Sequence, residues 1–190
     1  MPSEQTSGDR GIAVDIDGKA ALFGVVDGLG HGPAAADAAL RAVDAVNRAG
    51  SERIEVLIQL CHRVLVGTRG VAMTLARVDF AASTLTWAGV GNVTAHLLTK
   101  APTGVHVRSS ARLIGGIVGY RIPEIRPAQQ VSIRPGDLLV MSTDGIVEDY
   151  VDHIDFSAPA VDIAEDLLGK DAKETDDAMV LTARHRGTST

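Results

Sequence analysis

The stretch Phe23-Gly24-Val25-Val26-Asp27-Gly28-Leu29-Gly30-His31-Gly32 ends an apolar run in a carboxylate, three glycines and a histidine. The apolar run reads as a buried strand. Pro33-Ala34-Ala35-Ala36-Asp37-Ala38-Ala39-Leu40, which follows, has the composition of a helix with proline in its first turn. Asp27 therefore stands where a strand stops. Gly28, Gly30 and Gly32 let the backbone turn sharply and bare its amides and carbonyls, which suits an ion or a phosphate. The spacing G-x-G-x-G, with Pro33 where a last glycine belongs, does not fit the dinucleotide-binding fingerprint. The Gly-Lys-Ser/Thr ending of a phosphate loop is missing as well. A metal ligand at Asp27 is the third reading, and it needs other acidic residues elsewhere in the chain.

On either side of this stretch the pattern is regular. Gly11–Ile16 and Lys19–Val26 flank Asp17-Gly18, a strong hairpin signal, and the second arm delivers Asp27. Helical stretches at Ala34–Ala49 and Glu52–Val66 are separated by Gly50-Ser51, with Ser51 placed as a cap. Strands are then expected at Val71–Phe80, Thr84–Val90 and Val93–Thr99, and connections this short between paired strands make them antiparallel. Val105–Arg108 continues the meander after the turn Ala101–Gly104, Gly115–Gly119 is a loop, and Glu124–Ile133 alternates poorly. Leu138–Ser142 is a strand apolar on both faces that exits into Thr143-Asp144-Gly145, the same design as Asp27-Gly28. Ser157–Leu168 reads as a third helix capped by Ser157, and Asp176-Asp177 precede a last strand at Ala178–Ala183.

Length and composition bound the rest. The 190 residues, 45% hydrophobic and 22% charged, suffice for one domain, 1–190, with its own core, and 3% aromatics leave Ala, Val, Leu and Ile to fill it. A net charge of −6 argues against a nucleic-acid or anionic-membrane partner held by a broad basic surface. With a polar Met1–Gly8 and no 18-residue apolar run, a cytoplasmic protein is expected. Cys61, the only cysteine, excludes an intrachain disulfide and a thiolate cluster, and in its helix reads as a buried, inert thiol rather than a nucleophile.

Asp27, Asp144 and the Asp176-Asp177 pair each stand at a strand edge, where an aspartate alone is often a turn former. Together, without basic partners, converging carboxylates repel and call for a divalent cation, and oxygen-only donors select Mg²⁺, Mn²⁺ or Ca²⁺ over zinc.

The ordered set Ser7-Gly8-Asp9, Val26-Asp27-Gly28-Leu29-Gly30-His31-Gly32, Gly89-Val90-Gly91-Asn92-Val93, Ser142-Thr143-Asp144-Gly145 and Asp176-Asp177 resembles the PPM class of metal-dependent serine/threonine protein phosphatases. It is most similar to their short SpoIIE-type bacterial branch and, by size and by Thr68-Arg69-Gly70, to the stressosome phosphatases within it. The resemblance implies an α+β fold, a four-layer α-β-β-α sandwich of two packed antiparallel sheets flanked by helices. It implies two divalent cations, Mn²⁺ or Mg²⁺, with Asp27 bridging them and the Gly28 carbonyl, Asp144 and Asp176 completing their shells. Asp9 and Asp177 would act through water or from behind the ligands, and Asn92 stands where some relatives place an aspartate for a third metal. A water activated by the two metals would attack phosphorus directly, so neither a Cys-x5-Arg loop nor a nucleophilic serine is required. Glu4 and Gln5 replace the arginine by which many members hold substrate phosphate, which leaves the metals or Arg10 for that task. His31, two residues beyond the position of a family histidine, is a candidate general acid. The implied substrates are phosphoserine or phosphothreonine on STAS-domain scaffold and antagonist proteins of a stressosome, whose dephosphorylation resets signalling to an alternative sigma factor. The rival readings are a phosphatase of a free anti-sigma-factor antagonist, an inactive PPM-like binding module, and a calcium-stabilised structural domain.

Overall fold

The hairpin at the amino end sets the first sheet. In this computed structural model, which describes residues 7–173 and 177–187, Asp17 and Gly18 both take positive φ (53° and 64°) and Lys19 N donates to Ile16 O at 2.9 Å. Such a turn matches the right-handed twist of its arms, β1 (Asp9–Ile16) and β2 (Ala20–Gly28). β2 pairs next with β3 (Val71–Asp79) and β3 with β4 (Thr84–Val90), all antiparallel. On the far edge of β4 lie β7 (Leu113–Ile114), parallel, and β8 (Gln129–Ser132), antiparallel. The second sheet runs β10 (Val180–Arg184), β9 (Leu138–Ser142), β5 (Thr94–Ala101), β6 (Gly104–Ser110).

Alternation along the strands divides the core into three interfaces, and these define four layers. Ile12, Leu22, Val26, Met73 and Leu75 face α1 (Pro33–Arg48) and α2 (Ile54–Val64), packing on Ala38, Ala42, Leu57 and Ile58. Val25, Ala72, Ala76, Leu85 and Trp87 face the other sheet, meeting Ala95, Leu97, Leu139 and Met141. Leu98, Leu138 and Val140 turn outward onto Ile163 and Leu167 of α3 (Ala160–Asp171) and onto Tyr150 in the 3-10 turn Glu148–His153. The alanine-rich face of α1 permits its close approach to β2. Two packed sheets with three helices, in an α+β arrangement, are what the sequence led us to expect.

Three local expectations need correction. Gly91-Asn92 is not a hairpin turn: β4 and β5 belong to different sheets. Gly91, at φ 95°, donates its N–H to Ile114 O at 2.9 Å and lies where a Cβ would come within 2.5 Å of the Ala72 Cβ. The chain therefore drops across the inter-sheet core, and the buried Thr74 Oγ1 secures the crossing by donating to Val93 O at 2.6 Å. Ser51 does not cap α2, whose N-cap is Arg53 without a side-chain bond; the peptide carbonyls of Gly50, Ser51 and Glu52 are instead gathered by the Arg77 guanidinium. Ser157 does not cap α3 either, since Pro159 holds that position and Ser157 bonds to Asp155. Among the described residues no helix is long and apolar enough to cross a membrane.

Candidate metal centre

At one end of the inter-sheet core, register alone brings two carboxylates together. Asp9 of β1 is the direct partner of Asp27 of β2, both on the face turned to the second sheet. Directly opposite residues of an antiparallel pair have Cβ atoms about 4.5–5.5 Å apart, and like charges so placed are destabilising. Asp9 is buried at 4% exposure, and its Oδ2 accepts from Thr143 Oγ1 at 2.8 Å. Thr143 in turn accepts from Met179 N at 3.0 Å, so one hydroxyl joins β1, the exit of β9 and the approach to β10.

Gly28 seals the first strand exit. A Cβ there would lie 2.2 Å from Ala35 O, so only glycine lets β2 run under the first turn of α1. Gly28 N donates to Gly8 O at 3.2 Å, and Gly8 N donates to Asp177 Oδ2 at 2.8 Å, which ties the amino-terminal segment to the carboxy-terminal one. Asp144 reaches the same end from the second sheet. Its Oδ2 accepts from Asn92 Nδ2 at 2.6 Å and its carbonyl from Lys173 Nζ, while a Cβ on Gly145 would meet Asp177 O at 2.1 Å.

The structure thus gathers Asp9, Asp27, Gly28, Asn92, Asp144 and Asp177 from positions spread over most of the chain. Asp176 lies outside the described residues, as do Glu4 and Gln5. His31 is exposed in the loop before α1, whose N-cap is Gly32 and so has no side-chain cap. Arg10 turns back on its own strand, donating through Nη1 to Ser7 O at 2.9 Å and to Asp9 O at 2.6 Å. Thr143 and Lys173 went unread in the sequence. Thr143 reads only as part of a strand exit, and nothing local marks Lys173, whose N–H donates to Gly145 O at 2.8 Å.

The donor chemistry suits a hard cation. The groups converging here are carboxylate and carbonyl oxygens, with no histidine or cysteine among them, and opposed carboxylates are relieved by a positive ion between them. Among the described residues no three Asp, Glu, His or Cys side chains stand together at ligand range, so the described part is an open set of donors. Cys61 lies elsewhere: buried between α1 and α2, it donates to Ala42 O at 3.7 Å, and burial pushes its thiol up to about 12. A buried thiol held in its protonated form is a poor nucleophile.

Two helix-covered sheets with aspartates at one end of their shared core define the PPM, or PP2C-type, phosphatase fold. The family model described as stage II sporulation protein E (SpoIIE) matches residues 17–187, and the chain belongs to that family. Its sequence is 25% identical over 162 residues to the phosphoserine phosphatase RsbX of Bacillus subtilis (strain 168), covering 85% of this chain and 79% of that protein. A structure from work on the bacterial stressosome, as a modular system adapted to control secondary messenger signalling, superposes with a TM-score of 0.84. It is 29% identical and covers 96% of this chain and 94% of its own. RsbX in complex with magnesium superposes with a TM-score of 0.76 at 22% identity, covering 95% of this chain and 88% of that one, and supports the fold. The chain is thus a homologue of a phosphoserine phosphatase.

Proposed function

We propose that residues 1–190 form one PPM-type domain that hydrolyses phosphoserine or phosphothreonine on STAS-domain proteins of a stressosome in the cytoplasm, so resetting stress signalling to an alternative sigma factor. The observation that carries the phosphatase reading is the in-register Asp9–Asp27 pair, to which Thr143, the residue before Asp144, is hydrogen-bonded from the second sheet. A binding module has no physical need to keep such a pair of repelling carboxylates. Homology to RsbX and the superposition on a stressosome structure support the choice of substrate.

Asp27, the Gly28 carbonyl, Asp144 and Asp176 would hold two divalent cations, Mn²⁺ or Mg²⁺. When bound, the cations supply an activated water and positive charge opposite the phosphoryl oxygens. The chain's own residues do the positioning. β1 and β3 clamp β2 on both edges, which fixes Asp27. Thr143 orients Asp9, Asn92 orients Asp144, and Asp177 holds the Gly8 turn against Gly28. His31, exposed in the loop that follows Asp27-Gly28, would be the residue to hand a proton to the leaving group.

Hydrolysis of p-nitrophenyl phosphate with Mn²⁺, with Mg²⁺ and with chelator, beside Asp27→Ala, tests this reading. Turnover that requires the metal and falls at least about a hundredfold in the variant is expected. A folded protein that melts higher with Ca²⁺, yet releases no phosphate either from this ester or from a phosphorylated STAS protein, would be a structural or binding module.

A further inference from the structure

The phosphatase reading leaves open what holds the substrate phosphate, because Arg10 is turned back on the carbonyls of Ser7 and Asp9. Lys173 is committed too, to the carbonyl of Asp144. A third cation stands at the same end of the molecule. The β2–β3 ladder runs past Gly28, paired with Val71, through Leu29 N donating to Gly70 O at 3.1 Å. The next residues along are Gly30 and Arg69. A Cβ on Gly30 would come within 2.6 Å of Arg69 Nη1 and 3.8 Å of its Cζ, so the guanidinium abuts the glycine loop that follows Asp27 by one amino end.

The backbone that carries Arg69 is fixed while its side chain is exposed. Thr68 Oγ1 donates to Leu65 O at 2.7 Å and accepts from Gly70 N at 3.1 Å. Gly70, at φ 77°, is wedged where a Cβ would meet Ile117 Cγ2 at 2.5 Å and Val118 O at 2.7 Å. The guanidinium itself donates to no acceptor among the described residues, although Asp27 stands at the end of the neighbouring strand β2. An always-charged planar fork with five N–H donors, held at the lip of an acidic site and left without a partner, is suited to bidentate binding of a phosphate.

We propose that Arg69 grips the phosphomonoester of the substrate, doing from the entry to β3 what no arginine before β1 does in this chain. The proposal rests on the phosphatase reading, and inorganic phosphate serves as a probe that does not need turnover. With Mg²⁺ present, phosphate binding by calorimetry and phosphate inhibition of p-nitrophenyl phosphate hydrolysis are measured for the wild type, Arg69→Met and Arg69→Lys. Arg69→Met is expected to weaken phosphate binding and raise KM together by about ten- to a hundredfold, the loss of charge-assisted hydrogen bonds. Arg69→Lys, which keeps the charge but not the fork, should fall between. Both variants change an exposed side chain and should melt within about 2 °C of the wild type. Phosphate affinity unchanged in Arg69→Met overturns the assignment, as does a fall in kcat with KM and phosphate affinity unmoved. Absence of turnover in the wild type would sink the phosphatase reading instead, and the calorimetric comparison would still decide for or against a phosphate site at Arg69.

Discussion

Two strands of this protein end in the same three-residue design, Val26-Asp27-Gly28 on β2 and Thr143-Asp144-Gly145 after β9, but the fold holds the two carboxylates by different means. Asp27 is inside the sheet, in register with Asp9 on one side and Ala72 on the other, with Gly28 pressed against the Ala35 carbonyl. Asp144 is beyond its strand and exposed, positioned by Asn92 from the β4–β5 crossing and by Lys173 after α3. Both glycines are fixed by a backbone carbonyl where a Cβ would stand, Ala35 O in one case and Asp177 O in the other. One exit is thus set by main chain, which moves only when the sheet moves. The other has main-chain bonds of its own, from Lys173 N to Gly145 O among them, but its carboxylate is aimed by side chains, which can be loosened one bond at a time.

That contrast can be broken experimentally. Gly28→Ala should be the most destabilising change, since the intruding methyl meets a helix backbone that cannot yield. A loss of about 1–3 kcal/mol, or about 3–10 °C in melting temperature, is expected. Gly145→Ala, meeting the Asp177 carbonyl in a segment outside any strand, should lower the melting temperature less and turnover more. The reverse order would mean that the second exit is the stiffer one. Thr143→Val removes the hydroxyl shared by Asp9 and Met179 and leaves a buried carboxylate oxygen short of a donor, a loss of about 1–3 kcal/mol in urea unfolding. Asn92→Ala should lower metal affinity or kcat by about ten- to a hundredfold, as expected when a group orienting a ligand is lost. Its melting temperature should hardly change, because the bond is exposed. The smallest effect lies away from both exits. With the Cys61 thiol pushed up to about 12 in the fold against 9.0 ordinarily, the unfolded chain releases this proton from pH 9 while the folded chain keeps it. Stability therefore falls as pH rises above 9, by at most about 1.4 kcal/mol per unit from this group. Cys61→Ala should show a flatter decline of melting temperature between pH 8 and 10.

Much of this fold is legible locally. Asp17-Gly18 marks the hairpin that delivers Asp27, and the residues it pairs follow from the turn. The both-faced apolar run Leu138–Ser142 reads as a central strand, and β9 is buried along its whole length between β10 and β5. The failure at Gly91-Asn92 has a definite cause. Two short strands joined by a glycine turn look like a hairpin whether they pair or change sheets, and the deciding contact, Gly91 on Ala72, comes from another strand.

The candidate site divides along the same line. Asp27, Asp144 and Asp177 were readable because each stands at the edge of an apolar strand, and the order of the acidic motifs along the chain carried the family resemblance. The groups that aim them were not readable. Thr143 meets Asp9 across 134 positions, Gly8 meets Asp177 across 169, and Asn92 meets Asp144 across 52. Arg69 was legible only as the lead into a strand until Gly30 was found against its guanidinium. The sequence by itself determined the longer strands, where they stop and that the exits at Asp27 and Asp144 are acidic, because period, turn chemistry and charge are properties of neighbours in the chain. Only the tertiary structure decided which strand lies in which sheet and what orients each carboxylate, because those contacts join residues whose separation leaves no pattern in the chain.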